Sequence, residues 1–309
     1  QTTKGFNQNM GEFFNSFREL SNTPESLASR TMVKESAEVL AKNFQQMTAQ
    51  LGAIQADADF RVQTTVNEIN QLTKEIAQLN TKVSSIEVMG NTANDERDRR
   101  ENLVKQLSSK VNIRYAESKS GELSITAGTT AILVSGEGHT ELVTSATGAR
   151  ADKKDGNFDI FYKSSKEGTP FNITKQFNGG ELGGILDIRD KIINKSLEDF
   201  DELAYTLAAE VNKAHAQGYD RYNREGGVFF AEPSSVKGAA QHLTVDKTIR
   251  EDANRISAAA APDAPGDNRI ANIISALEYK QALSGGTATF DDFYGGVVGK
   301  VGIEAQRAN

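Results

Sequence analysis

From Leu40 to Ile86 the residues Phe44, Met47, Leu51, Ile54, Ala58, Val62, Val66, Ile69, Leu72, Ile76, Leu79 and Val83 keep a mean spacing of about 3.5, the period of a coiled-coil seam. No proline falls between Pro24 and Val88, so the pattern predicts one helical rod on the order of 100 Å long, with Gly52 as its weak point. Its other faces are polar, as TKEIAQLNTK shows, and such a helix is stable only if a partner covers its stripe. A second amphipathic stretch can supply that partner: Leu182, Ile185, Ile192, Phe200, Leu203, Leu207, Val211 and Ala214, with Gly218 as the expected C-cap residue. The expected core therefore sets Leu51, Ile54, Ile69, Leu72, Ile76 and Leu79 against Leu203, Leu207 and Val211 in an antiparallel bundle. Each buried side chain would contribute roughly 1.5 to 3 kcal/mol.

Other elements flank this pair. Phe6, Met10, Phe13, Phe17 and Leu20 share one helical face, a stripe expected to be core, and that helix should end near Ser21. SNTPES then predicts a restart with Asn22 or Thr23 as N-cap and Pro24 at the first helical position. The rod breaks at Met89 to Asn91, and a shorter helix carries Leu103 and Leu107. Between about Arg114 and Phe177 the texture changes to alternating runs such as ELSIT, AILVSG and FDIFYK, with Asp155-Gly156 as a hairpin turn. The fold class is therefore α+β and multidomain: a discontinuous helical core over 1–113 and 178–309, with short strands near 219–250, and a small all-β domain inserted at 114–177. A last helix runs from Phe290 to the end.

Chemistry finds little material. A net charge of -7 and a pI near 5.2 argue against nucleic acid as a partner, because phosphate contacts need clustered cations. The absence of cysteine excludes disulfides and thiolate zinc sites, and no apolar run approaches the ~20 residues that span a bilayer. Neither a signal-peptide pattern nor an initiator Met stands before Gln1, so a soluble, trimmed chain is expected.

The stretch GGELGGILDIRD, Gly179 to Asp190, resembles the entry to a nucleotide site. Ile185 and Leu186, however, stand where a phosphate loop needs Lys and Ser or Thr, which leaves a tight strand-to-helix crossing. His139, His215 and His242 form no metal motif. His215 is expected to favour the end of the helix dipole, and the other two to sit on loops or strand edges. The acidic run Glu198, Asp199, Asp201 and Glu202 reads as a solvated face, and ADKKDG lacks calcium-loop spacing. No catalytic, cofactor or metal residue is assigned, and no cofactor is expected.

Five ordered segments carry a family resemblance: GEFFNSFRELSNTPESLASRTMVKESAEVLAKNF, ANDERDRRENLVKQLSSKVNI, GGELGGILDIRD, LAAEVNKAHAQGYD and TFDDFYGGVVGKVGIEAQ. Together they span nearly the whole chain, and the sequence resembles the FlgK family of flagellar hook-associated proteins. The resemblance implies an exported, extracellular structural protein that forms a ring of like subunits at the hook-filament junction, without catalysis. Implied partners are the hook protein, a second junction protein and an export chaperone that binds a C-terminal segment. By the same resemblance, terminal segments that form an inner coiled-coil tube are expected to be missing here, leaving a monomeric fragment, and the chain departs from the family in having room for only one small outer β domain. The alternative is an adhesin-like binding module acting through the β domain.

Overall fold

The computed structural model describes residues 5–146, 157–163 and 168–308. The Asp155-Gly156 turn and the ADKKDG segment lie outside the described residues. Helix α1 (Phe6–Asn22) is followed by α2 (Leu27–Val88), a single helix of 62 residues. Pro24 sits in the turn between them, not at the first helical position. The cap is Ser26, whose Oγ accepts from the Ser29 N–H at 3.2 Å. Helix α3 (Asn94–Lys110) precedes two antiparallel sheets. The first orders β1 (Ile113–Glu117), β2 (Leu123–Ala127), β3 (Ala131–Ser135) and β4 (Gly138–His139), with Tyr115 opposite Ile125. The second orders β5 (Leu142–Ala146), β6 (Phe158–Tyr162) and β7 (Phe171–Asn172), with Thr144 opposite Ile160.

Helix α4 (Gly180–Asp187) continues through a π-helical segment (Ile188–Ile193) into α5 (Asn194–His215). The short strands expected near 219–250 are replaced by isolated bridges, such as Phe230 to Val245, and by the short helices α6 (Ala239–His242) and α7 (Lys247–Glu251). Helices α8 (Arg269–Ala276) and α9 (Phe290–Ala308) complete the order.

Two compact units result. A terminal unit comprises Gln1–Leu51 and Lys195–Asn309, and a central unit comprises Gly52–Asn194. These boundaries differ from the expected 114–177 insertion, because the second half of α2, together with α3 and α4, belongs with the sheets. Only the strand-rich part was visible as a change of texture; the helices that support it look like any other amphipathic helix.

The terminal unit has an aromatic interior. Phe13, Phe17, Phe44, Phe229 and Phe230 are fully buried, with Phe6 edge-on to Phe44 at 4.8 Å and Phe229 edge-on to Phe230 at 4.9 Å. Leu203, Leu207 and Val211 of α5 join this core, and from α2 it takes Val33, Ala37, Leu40, Ala41 and Phe44, with Met47 and Leu51 packed partly against it.

The expected zipper is therefore corrected. Leu207 belongs to the terminal unit and Leu72 to the central one, so they share no interior. Ile54 is 52% exposed and Leu72 only half-buried, while Ile69, Ile76 and Leu79 are buried within the central unit. Along α2 the innermost positions there read Val62, Ile69, Thr73, Ile76, Asn80 and Val83, all fully buried. These positions keep the 3.5 spacing, with Thr73 and Asn80 in the places that a purely apolar reading gives to Leu72 and Leu79. In the central unit the buried face includes polar residues that a search for apolar spacing passes over.

Candidate functional site

The glycine-rich stretch settles first. Gly180 has φ +69°, and a Cβ there would lie 2.7 Å from the Val111 amide nitrogen at the end of α3. Glycine is required for backbone approach and a left-handed turn, with no ligand needed to explain it. Gly218 serves similarly: a Cβ would lie 2.8 Å from the Ala259 carbonyl oxygen, and its φ is not left-handed, so it is a close-approach residue and no αL cap.

Several polar residues read as solvated or generic are anchors inside the units. His215 is 1% exposed. Its Nδ1 donates to the Gly227 carbonyl at 2.7 Å, and its Nε2 accepts the Ser257 N–H at 2.8 Å, which requires the neutral ring. Burial pushes its pKa down to about 4, so the expected role as a cation at the helix end is corrected to a neutral bridge between loops. The acidic run is not a uniform solvated face either. Asp201 is buried and accepts from Gly238 N–H at 2.7 Å and Ala240 N–H at 3.0 Å, closing the start of α6. Asp199 is buried beside Lys195 at 2.8 Å. Asn212 clasps the main chain of Phe229 and Phe230 through both ends of its amide.

The central unit uses the same device along α2. Asn80 donates to the Leu123 and Gly136 carbonyls, both at 2.7 Å, and accepts from Leu123 N–H and from Arg100. Asn70 pairs with both backbone groups of Leu142. Near the π-helical segment, Arg189, 1% exposed, donates to Asp59 at 2.8 Å and to the Phe158 carbonyl at 2.7 Å. Burial raises the Asp59 pKa although Phe158 N–H and Arg189 pull the other way. The sequence signal for these anchors was an Asn, Thr or Asp in register with buried apolar positions, which periodicity alone discards.

Among the described residues no group of three or more His, Cys, Asp or Glu is placed to hold a metal ion, and no helix is long and apolar enough to cross a membrane. Apolar side chains do remain on helix surfaces. Met32 and Val39 are 54% and 49% exposed and line a cavity of about 220 Å³ with Glu12 and Glu35, and Val298 and Ile303 are exposed on α9.

Buried polar side chains such as Asn80, Asp201 and Asn212 tie backbone segments together, and helices such as α2 and α9 keep apolar groups outside, which makes this a helical scaffold fold. Comparison with known proteins narrows the class. Residues 1–230 match the family described as flagellar hook-associated protein FlgK helical domain, and the chain belongs to that family. It is 27% identical to flagellar hook-associated protein 1 of Bacillus subtilis, over 99% of this chain and 64% of that relative. Its identity to the Salmonella typhimurium protein of the same name is 28%, over 77% of this chain and 42% of the relative. The chain thus spans less than two thirds of the length of either relative. Among solved structures, the flagellar hook junction protein FlgK from Burkholderia pseudomallei superposes with a TM-score of 0.86, covering 99% of this chain and 90% of that one at 16% identity, which shows a shared fold.

Proposed function

We propose that this chain is the core of a structural adaptor of the bacterial flagellum, a subunit of the ring that joins hook to filament. The observation that carries the reading is the family match over residues 1–230, with the fold shared by a hook junction protein in support. The chemistry of the molecule agrees, since Asn80, Asp201, Asn212 and His215 are spent on holding the fold and apolar groups such as Met32, Val39, Val298 and Ile303 stay exposed on helices. In this reading the subunit acts through complementary surfaces, without catalysis, toward like subunits, the hook protein and a second junction protein. It works outside the cell after export through the flagellar secretion apparatus, and an export chaperone is a further partner. The adhesin-like alternative has no observation in its favour.

Deletion of the gene and complementation with the full-length protein test the reading. A deletion strain should build hooks without filaments and lose motility, and the intact gene should restore both, with the protein located at the junction by electron microscopy. Normal swimming of the deletion strain would overturn the proposal.

A further inference from the structure

The glycine-rich crossing into α4 carries a pair of groups that can react with each other. Asn178 and Gly179 form the single Asn-Gly step of the chain, and both stand outside helix and strand, just ahead of α4. The Asn178 side chain is exposed, and among the described residues none bonds its amide. The Gly179 N–H is likewise without an acceptor among the described residues, whereas the Gly179 carbonyl takes the Gly183 N–H at 3.3 Å. Even the Oδ1 of Asn112, a buried acceptor, has no donor, although Asn112 Cβ lies 3.4 Å from where a Cβ of Gly179 would stand. Ladder hydrogen bonds ordinarily tie down a backbone nitrogen, and here none does. A side-chain amide and the next backbone nitrogen share a short tether, so their encounter is intramolecular and gains from proximity. Glycine removes the obstacle, since no Cβ crowds the approach of its nitrogen.

We propose that Asn178 is a self-modifying site, deamidated through attack by the Gly179 nitrogen, with water as the co-reactant. The nitrogen bonds to Cγ of Asn178, the Cγ–Nδ2 bond breaks, and ammonia leaves with the hydrogen that the Gly179 N–H gives up. Water then opens the cyclic imide. Addition at Cγ leaves an aspartate; addition at the main-chain carbonyl carbon leaves an isoaspartate, in which the backbone runs through the former side chain. Nothing is oxidised or reduced, and each event makes a chain of net charge -7 one charge more negative.

The two products differ in what the fold can absorb. Backbone packs closely at this point: a Cβ on Gly183 would lie 2.8 Å from the Asn178 carbonyl carbon, and one on Gly180 would lie 2.7 Å from the Val111 nitrogen. Phe177 and Leu182, 3% and 0% exposed, anchor the chain on either side. An aspartate keeps this path and sets its charge ahead of α4, where the helix dipole favours it slightly. An isoaspartate lengthens the main chain by one carbon between the two anchors. The Gly179 carbonyl then no longer meets the Gly183 N–H, and the first turn of α4 lifts from the end of α3. The central unit thus holds a chemical ageing point where its strand-rich part returns to helix, whatever the chain assembles with.

The full chain, incubated at mildly acidic and mildly alkaline pH and then mapped by peptide mass spectrometry, tests the site. Asn178 should convert ahead of the other asparagines, and faster at alkaline pH, because the attacking nitrogen must lose its proton. G179A should slow conversion about tenfold or more. A Cβ there meets no atom closer than 3.4 Å and the φ of -154° is extended, so this variant should fold. Asn178 left intact in the folded chain would overturn the site, and equal rates with and without G179A would overturn attack by the Gly179 nitrogen. Hydrogen exchange on the separated isoaspartate form tests the consequence. The Gly183 amide should lose protection there and keep it in N178D, which adds the charge without the extra carbon. Protection retained in the isoaspartate form, or lost equally in N178D, would overturn the ageing of the crossing.

Discussion

The two units solve the same problem with different materials. The terminal unit packs rings, with Phe13 within 6 Å of Phe14, Phe17, Phe229 and Phe230. The central unit buries amides and hydroxyls along α2 and uses them to grip strand backbone, as Asn70 and Asn80 do. An apolar core tolerates repacking that keeps its volume, whereas an amide clamp gives register and leaves costly orphans when it is cut. The lesson is that one continuous helix can serve an apolar core at one end and a polar scaffold at the other, without any break in its periodicity.

The sharpest way to break this contrast is a matched pair of substitutions. Leu207→Asp buries a charge in the aromatic core and should cost about 4 kcal/mol or more, whereas half-buried Leu72→Asp should cost about 1 kcal/mol. Chemical denaturation with hydrogen exchange by unit measures both, and equal losses would end the distinction. Asn80→Ala comes next, at about 3 kcal/mol, because it orphans backbone groups of Leu123 and Gly136 together with a donor of Arg100. Exchange should rise in the two sheets and leave the amides of Phe229 and Phe230 protected.

A pH series tests the neutral anchor of the terminal unit. His215 has a folded pKa near 4, below the unfolded value, so the unfolded chain binds the extra proton in this window. Its contribution is complete above about pH 6.5, falls as pH falls toward 4, and amounts to about 2 kcal/mol lost between pH 7 and pH 5. His215→Gln should flatten that slope, read as Tm against pH. The smallest effect belongs to Ile54→Ser, which should change stability by less than about 0.5 kcal/mol because the side chain faces water. A loss of several kcal/mol would restore the coiled-coil seam at that point.

Much of the architecture was legible beforehand. The long helix, its breaks at Pro24 and Gly90, the β-rich stretch and the helix through Leu203, Leu207 and Val211 all follow from spacing and turn residues, and Ile185 and Leu186 in the places of Lys and Ser or Thr argued against a phosphate loop. Less of the candidate site could be read. Asp201 and His215 looked generic because their partners, Gly238, Ala240, Gly227 and Ser257, lie far along the chain or on irregular loops.

Periodicity and punctuation are local properties, so residues a few positions apart carry them completely: where helices start and stop, where strands begin, which stripe is apolar. What covers a stripe is a long-range choice. Leu51 and Ile69 share one seam in sequence, yet one packs partly against the aromatic core of the terminal unit and the other is buried within the central unit. Only the folded backbone brings Leu123 and Leu142 to the amides that hold them. A spacing rule records where a side chain points around its own helix axis, and carries no information about which distant atoms will fill the space beyond it.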